Sequence, residues 1–165
     1  MAVSPVPEGY HTVNAYLIVE DAARAIDFYA KAFGAQELYR LPVPGPDGQE
    51  RVGHAEIRIG DTNLMLSDEW PDMGYLGPNK RGGATASFVI YGPDCDAAFD
   101  QAVAAGAAVD KAVADQFWGD RMGTVIDPFG HKWTLGTHKE DVAPEDLALR
   151  MKEWAKAQTA QANVT

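Results

Sequence analysis

The chain has 165 residues, 46% of them hydrophobic and 23% charged, which excludes wholesale disorder and fits one domain or two closely packed half-domains. With 14 Lys and Arg against 24 Asp and Glu, its net charge is -10; nucleic acid and anionic bilayers are repelled on average and are not expected partners. The lone Cys95 permits neither an intrachain disulfide nor a cysteine-built zinc site. Because the N-terminal stretch lacks the basic and apolar parts of a secretory signal and no apolar run approaches ~18 residues, a cytoplasmic protein is expected.

In chain order, His11 to Val19 reads as an apolar strand. Asp21 then caps a helix in which Ala22, Ala25, Ile26, Tyr29 and Phe33 recur at helical spacing and which Gly34 ends. Strand signals follow in QELYRLPV, GHAEIRIG and TNLMLS, the first two separated by a turn-rich PGPDGQE. The order β-α-β-β-β then returns. TASFVIYG is a strand, Asp94 caps the helix CDAAFDQAVAAG, and AAVDKAVAD, RMGTVIDP and HKWTLG supply the remaining strands. Aligning the halves puts Asn14 opposite Ala86, Tyr16 opposite Phe88 and Met65 opposite Thr134. The chain is therefore a divergent duplication, divided into a first module at 11–67, a connector at 68–82 carrying Trp70 and Tyr75, a second module at 83–138 and a terminal helix at 144–160. In that helix Leu147, Met151 and Trp154 form an apolar stripe that needs a surface to cover.

The paired β-α-β-β-β order, with VEDAARAIDFYAKAFGA in the first half and DPFGHKWTLGTH closing the second, resembles the vicinal oxygen chelate superfamily of glyoxalases, bleomycin-resistance proteins and dioxygenases. Within it, HAEIRIGDTNLMLSDE and DQFWGDRMGTVIDPFGHKWTLGTHKEDVAPEDL are similar to the PhnB-like branch. The resemblance implies an α+β fold in which two βαβββ modules form an open half-barrel around a small-molecule cavity, usually in a homodimer. It does not imply one activity.

The resemblance also implies four inward-facing metal positions, on the first and last strand of each module, which fall on Asn14, Met65, Ala86 and Thr134. None carries a carboxylate, imidazole or thiolate, and the adjacent Ala15, Leu64, Leu66, Ser87, Trp133 and Leu135 would not repair the set. No metal and no other cofactor is expected; the alternative is a divalent metal held by relocated ligands.

His54 and Glu56 lie two apart on one strand and share a face with Arg58, opposite Ala55, Ile57 and Ile59. They either bond along the sheet or orient a ligand and shuttle a proton. By strand alternation Asn14, Tyr16, Ile18, Met65, Ser67, Ala86, Phe88, Ile90 and Thr134 face the cavity, giving an apolar, aromatic lining with a few polar anchors. Trp118 and Arg121 either close over a ligand or form an edge packing element in which Asp120 or Asp127 pairs with Arg121. His131 in its turn is a structural candidate, and His138 stands just past the last strand. The resulting expectation is a metal-independent protein that binds a small organic molecule through Asn14, Tyr16, Met65, Ser67, Phe88, Trp118, Arg121 and Thr134. The alternative is an enzyme, a metal-dependent lyase or isomerase or a metal-free acid/base catalyst using His54 and Glu56.

Overall fold

The protein is described by a computed structural model over residues 3–45 and 48–162. The first module runs β1 (Tyr16–Val19), α1 (Ala22–Phe33), β2 (Gln36–Pro44), β3 (Glu50–Ile59) and β4 (Thr62–Asp68). A connector with a single 3₁₀ turn (Pro71–Met73) and the short α2 (Pro78–Arg81) leads to the second module. That module contains β5 (Ser87–Tyr91), α3 (Cys95–Ala104), β6 (Ala108–Asp115), β7 (Asp120–Ile126) and β8 (Lys132–His138), and α4 (Pro144–Ala162) follows. Each module forms its own four-stranded mixed sheet, ordered β1-β4-β3-β2 and β5-β8-β7-β6. In both, the first and last strands pair in parallel and the rest are antiparallel. This is the expected α+β duplication. No helix among the described residues is long and apolar enough to cross a membrane.

The helices begin where their caps were expected. The Asp21 side chain accepts from the Arg24 amide and that of Asp94 from the Ala97 amide, while Gly34 ends α1 in the left-handed conformation at φ 66°. α1 packs on the first sheet, α3 on the second, and the two helices meet, so that one core contains Leu17, Val19, Ile57, Leu66, Val125, Trp133 and Leu135. Phe33 stacks on Tyr29 and meets Trp133 at a tilt, 4.8 Å ring to ring, bringing α1 of the first module onto β8 of the second. Buried Asp127 fastens the same junction. One carboxylate oxygen accepts from the Tyr29 hydroxyl and the Trp133 indole, each at 2.8 Å, and the other from the Phe129 and His131 amides, each at 2.9 Å.

Three expectations are corrected here. The first strand is shorter than the apolar run, because Asn14 closes a turn instead: its carboxamide accepts from the His11 amide and donates to the His11 carbonyl. In β5 the facing is shifted by one residue. Tyr16 pairs with Met65 and Val89 with Thr134, so Tyr16 corresponds to Val89 and Asn14 to Ser87. Phe88 consequently turns to the helix layer and lies 4.8 Å from Trp133, ring to ring; Ile90 packs on the same core, and Ala86 precedes the strand. Finally, α4 does not bury its stripe. Met151 and Trp154 are half exposed, and the helix is tied down by Trp154 against Phe117 and by a two-pronged ion pair between Arg150 and Glu140 at 2.6 and 2.8 Å.

Candidate functional site

With Leu17, Val19, Leu64, Leu66, Ala55 and Ile57 buried under α1, strand alternation turns Tyr16, Ile18, His54, Glu56, Met65 and Ser67 to the opposite face of the first sheet. That face floors a cavity of about 690 Å³ lined by Tyr16, Ile18, Val43, Gly53, Ser67, Trp70, Met73 and Tyr75. The connector forms its wall. Trp70 and Tyr75 pair their backbones in both directions, at 2.9 and 3.1 Å, and the following chain is clamped by Glu69. This carboxylate is buried; one oxygen accepts from the Gly77 amide at 2.8 Å and the other meets Lys80. Gly77 passes so close to β1 that a Cβ there would lie 2.9 Å from the Ile18 carbonyl oxygen. The clamp therefore requires glycine.

Beside the cavity the sheet carries a linked polar cluster. The Tyr16 hydroxyl is 3.0 Å from His54 Nδ1, His54 Nε2 is 3.6 Å from Glu56 Oε1, and the Tyr39 hydroxyl donates to the same oxygen at 2.5 Å. The Tyr16 and Tyr39 rings flank the imidazole at 5.6 and 5.8 Å. The carboxylate at Nε2 favours the tautomer with its proton on that nitrogen, leaving Nδ1 to accept from Tyr16. The Tyr10 hydroxyl is also buried near this carboxylate, without the geometry of a hydrogen bond. Burial pushes the Glu56 carboxyl up, but its Tyr10, Tyr39 and His54 neighbours outweigh burial and hold it below the usual carboxylate range. The same carboxylate raises the Tyr39 phenol, whereas for Tyr10 burial comes first and the carboxylate second.

The structure thus brings together Tyr16, His54, Glu56, Met65 and Ser67. Asn14 precedes the strand, while Thr134 lies on the second sheet with its hydroxyl 3.0 Å from that of Thr124. Trp118 and Arg121 do not line this cavity. Arg121 pairs with neither Asp120, which as its strand neighbour points to the opposite face, nor Asp127, whose oxygens are taken by Tyr29, Trp133 and the turn amides; its guanidinium reaches Asp96 at the start of α3, at 2.7 and 2.8 Å, and Asp115 at 3.1 Å. Trp118 instead joins a second cluster. Buried Asp120 accepts from the Trp118 indole at 2.9 Å and the Tyr91 hydroxyl at 2.8 Å, and its other oxygen is 2.7 Å from His138 Nδ1. The hydrogen bond to Asp120, then that to Asp141, raises the His138 imidazole above its ordinary value. His131 holds the modules together through Nε2, 3.1 Å from the Ile18 carbonyl.

Tyr39 was accessible to sequence reasoning, since it stands opposite Glu56 in the β2–β3 register; Tyr10, ahead of any strand, left no periodic signal. The four family metal positions do not fit a metal. Asn14 is engaged by His11, Met65 offers only a thioether, Thr134 is bonded to Thr124, and neither Ala86 nor its structural replacement Ser87 supplies a charged donor. Among the described residues no three His, Cys, Asp or Glu side chains are grouped to hold an ion.

A duplicated βαβββ unit with an open sheet face and a cavity defines an α+β architecture rather than a particular activity. The chain belongs to the Glyoxalase/Bleomycin resistance protein/Dioxygenase superfamily, whose family model matches residues 10–135. An uncharacterized protein of Mycobacterium bovis is 43% identical over 154 residues, spanning 92% of this chain and 96% of that protein. Among solved structures, TioX from Micromonospora is similar at 25% identity and TM-score 0.58, over 81% of this chain and all of that one (100%). A PhnB protein of Bacillus cereus shares the fold at 19% identity and TM-score 0.61, over 77% of this chain and 99% of that one.

Proposed function

We propose that this is a metal-independent member of the superfamily, of the PhnB-like kind, that binds a small organic molecule on the open face of its first sheet. The observation that carries the reading is the 690 Å³ cavity, large enough for a drug-sized ligand and walled by Trp70 and Tyr75 over a floor of Tyr16, Ile18 and Ser67. Metal independence rests on the donor chemistry of Asn14, Met65, Ala86 and Thr134. The functional unit in this reading is a homodimer, because Tyr16, Leu41, Val89 and Tyr91 are 45%, 53%, 50% and 58% exposed on faces that a second copy would cover. Titrating candidate metabolites against the purified protein, with tryptophan fluorescence and calorimetry, tests the cavity. A ligand whose affinity survives both Tyr16→Ala and Trp70→Ala overturns it, and stoichiometric divalent metal in elemental analysis overturns metal independence.

One arrangement favours a second reading, metal-free acid/base catalysis. Tyr16 sits between the cavity and the His54–Glu56 pair, so its hydroxyl could pass its proton to the imidazole as it takes one from a ligand. In that case His54→Gln abolishes turnover of a bound compound while leaving its affinity nearly intact; equal loss of both would leave binding as the sole role.

A further inference from the structure

The hydroxyls on the cavity floor have their hydrogens committed inward. Tyr16 donates to His54 Nδ1 when Glu56 fixes the imidazole tautomer, and the Ser67 hydroxyl donates to the Asp68 carbonyl at 3.1 Å. What they turn to an occupant is oxygen lone pairs. None of the lining residues carries a charge. Lys80 and Arg81 of neighbouring α2 are themselves engaged, by Glu69 and by the Gly74 carbonyl. The Tyr16–His54 link couples the floor to the Glu56 carboxylate. Tyr16, Trp70 and Tyr75 add three electron-rich rings to the lining, surfaces that attract a cation and repel an anion.

Building on the binding role proposed for this cavity, we propose that it selects an organic cation: a protonated amine carried on an apolar or aromatic body. Its N–H groups donate to the Tyr16 and Ser67 oxygens, its charge lies against the rings within the field of Glu56, and its body packs on Ile18, Val43 and Met73. A carboxylate or phosphate finds no donor of matching charge in the lining. A neutral alcohol finds the same acceptors without the charge.

Three probes with one ring and nearly one length separate these cases: 2-phenylethylammonium, 2-phenylethanol and 3-phenylpropionate. Calorimetry at near-physiological salt, where the field of distant surface charge is screened, should rank the ammonium at least about tenfold above the alcohol, with the carboxylate weakest. Glu56→Gln should erase most of that preference. Asp100→Asn, which removes the same charge from the exposed side of α3, should leave it unchanged. Tryptophan quenching by the ammonium, lost in Trp70→Phe, places the probe in the cavity. An alcohol or carboxylate that binds there as tightly as the ammonium overturns the cation assignment and keeps the cavity as a ligand site. Equal loss in Asp100→Asn and Glu56→Gln overturns it as well, reducing the preference to net charge. Failure of all three probes at millimolar concentration counts against the assignment and against the cavity.

Discussion

Replacing Asp127 by alanine removes the acceptor for four hydrogen bonds at the junction of the modules. Two of the stranded donors cannot turn to water, since Tyr29 is 0% and Trp133 1% exposed. A buried donor left without a partner costs about 1–3 kcal/mol, so the Tyr29 hydroxyl and Trp133 indole together cost roughly 4 kcal/mol. The turn amides add less, as water can enter once the carboxylate is gone. For a chain of this size, about 2–4 °C of melting temperature is lost per kcal/mol, giving an expected fall of about 8–16 °C in thermal unfolding followed by circular dichroism. Asp127→Asn keeps one acceptor oxygen for the turn but presents an N–H group to the indole, and should lose about half as much. Adding Tyr29→Phe to the alanine variant should restore part of the loss by removing one orphaned group. A loss of stability for Asp127→Ala no larger than the ~0.5 kcal/mol typical of surface changes, about 1–2 °C in melting temperature, or further destabilisation by Tyr29→Phe in that background, would refute the reasoning.

In nuclear magnetic resonance His138 should titrate above 6.5 and return toward that value in Asp120→Asn; because its folded pKa is raised, its stabilising contribution is complete below the unfolded value and lost as pH rises through the folded one. Glu56 has the opposite sign. Its carboxyl lies below 4.5 in the folded chain, so its contribution is present above the unfolded value and lost as pH falls through the folded one, and Glu56→Gln should flatten the acid limb of melting temperature against pH. Trp118→Phe removes the indole hydrogen bond to buried Asp120 and should lower stability by about 1 kcal/mol while leaving the ligand-induced fluorescence change intact. Deleting residues 144–165 should cost only a few degrees, because α4 is held mainly by Trp154 on Phe117 and by the exposed Arg150–Glu140 pair. Gly77→Ala should loosen the connector and weaken cavity binding more than stability, a split measurable by calorimetry beside thermal unfolding.

The duplication, both helix caps and the polar face of β3 were legible because each rests on a local rule: an Asp before a periodic run, or alternation along one strand. The register of β5 was not, since Ser87 to Tyr91 is apolar on both faces and offers no alternation to count. Its true facing follows from Asp94, which caps α3 as Asp21 caps α1, a constraint stronger than the strand pattern. The partners of Arg121 were misplaced for a related reason: proximity in sequence suggested Asp120, whereas the guanidinium crosses to α3. Tyr10 could not have been found, because its approach to Glu56 depends on the path of an irregular segment. The role of the connector was only half visible. Its aromatics stood out, but the Glu69 clamp that positions them needs the fold.

Each helix start is completed from the far end of its own module. The Ala22 amide donates to Asp68, which also takes the Val52 amide, and the Cys95 amide donates to Thr137. Neither helix can be fully satisfied until the last strand of its unit has docked, so partial assembly of a module leaves exposed donors rather than a stable fragment. Loss of β4 or β8 must then release the opposite end of the unit as well, making each half a cooperative block in native-state hydrogen exchange. The chain order inside a half is therefore also a commitment order: the strand synthesised last completes the helix synthesised near the beginning.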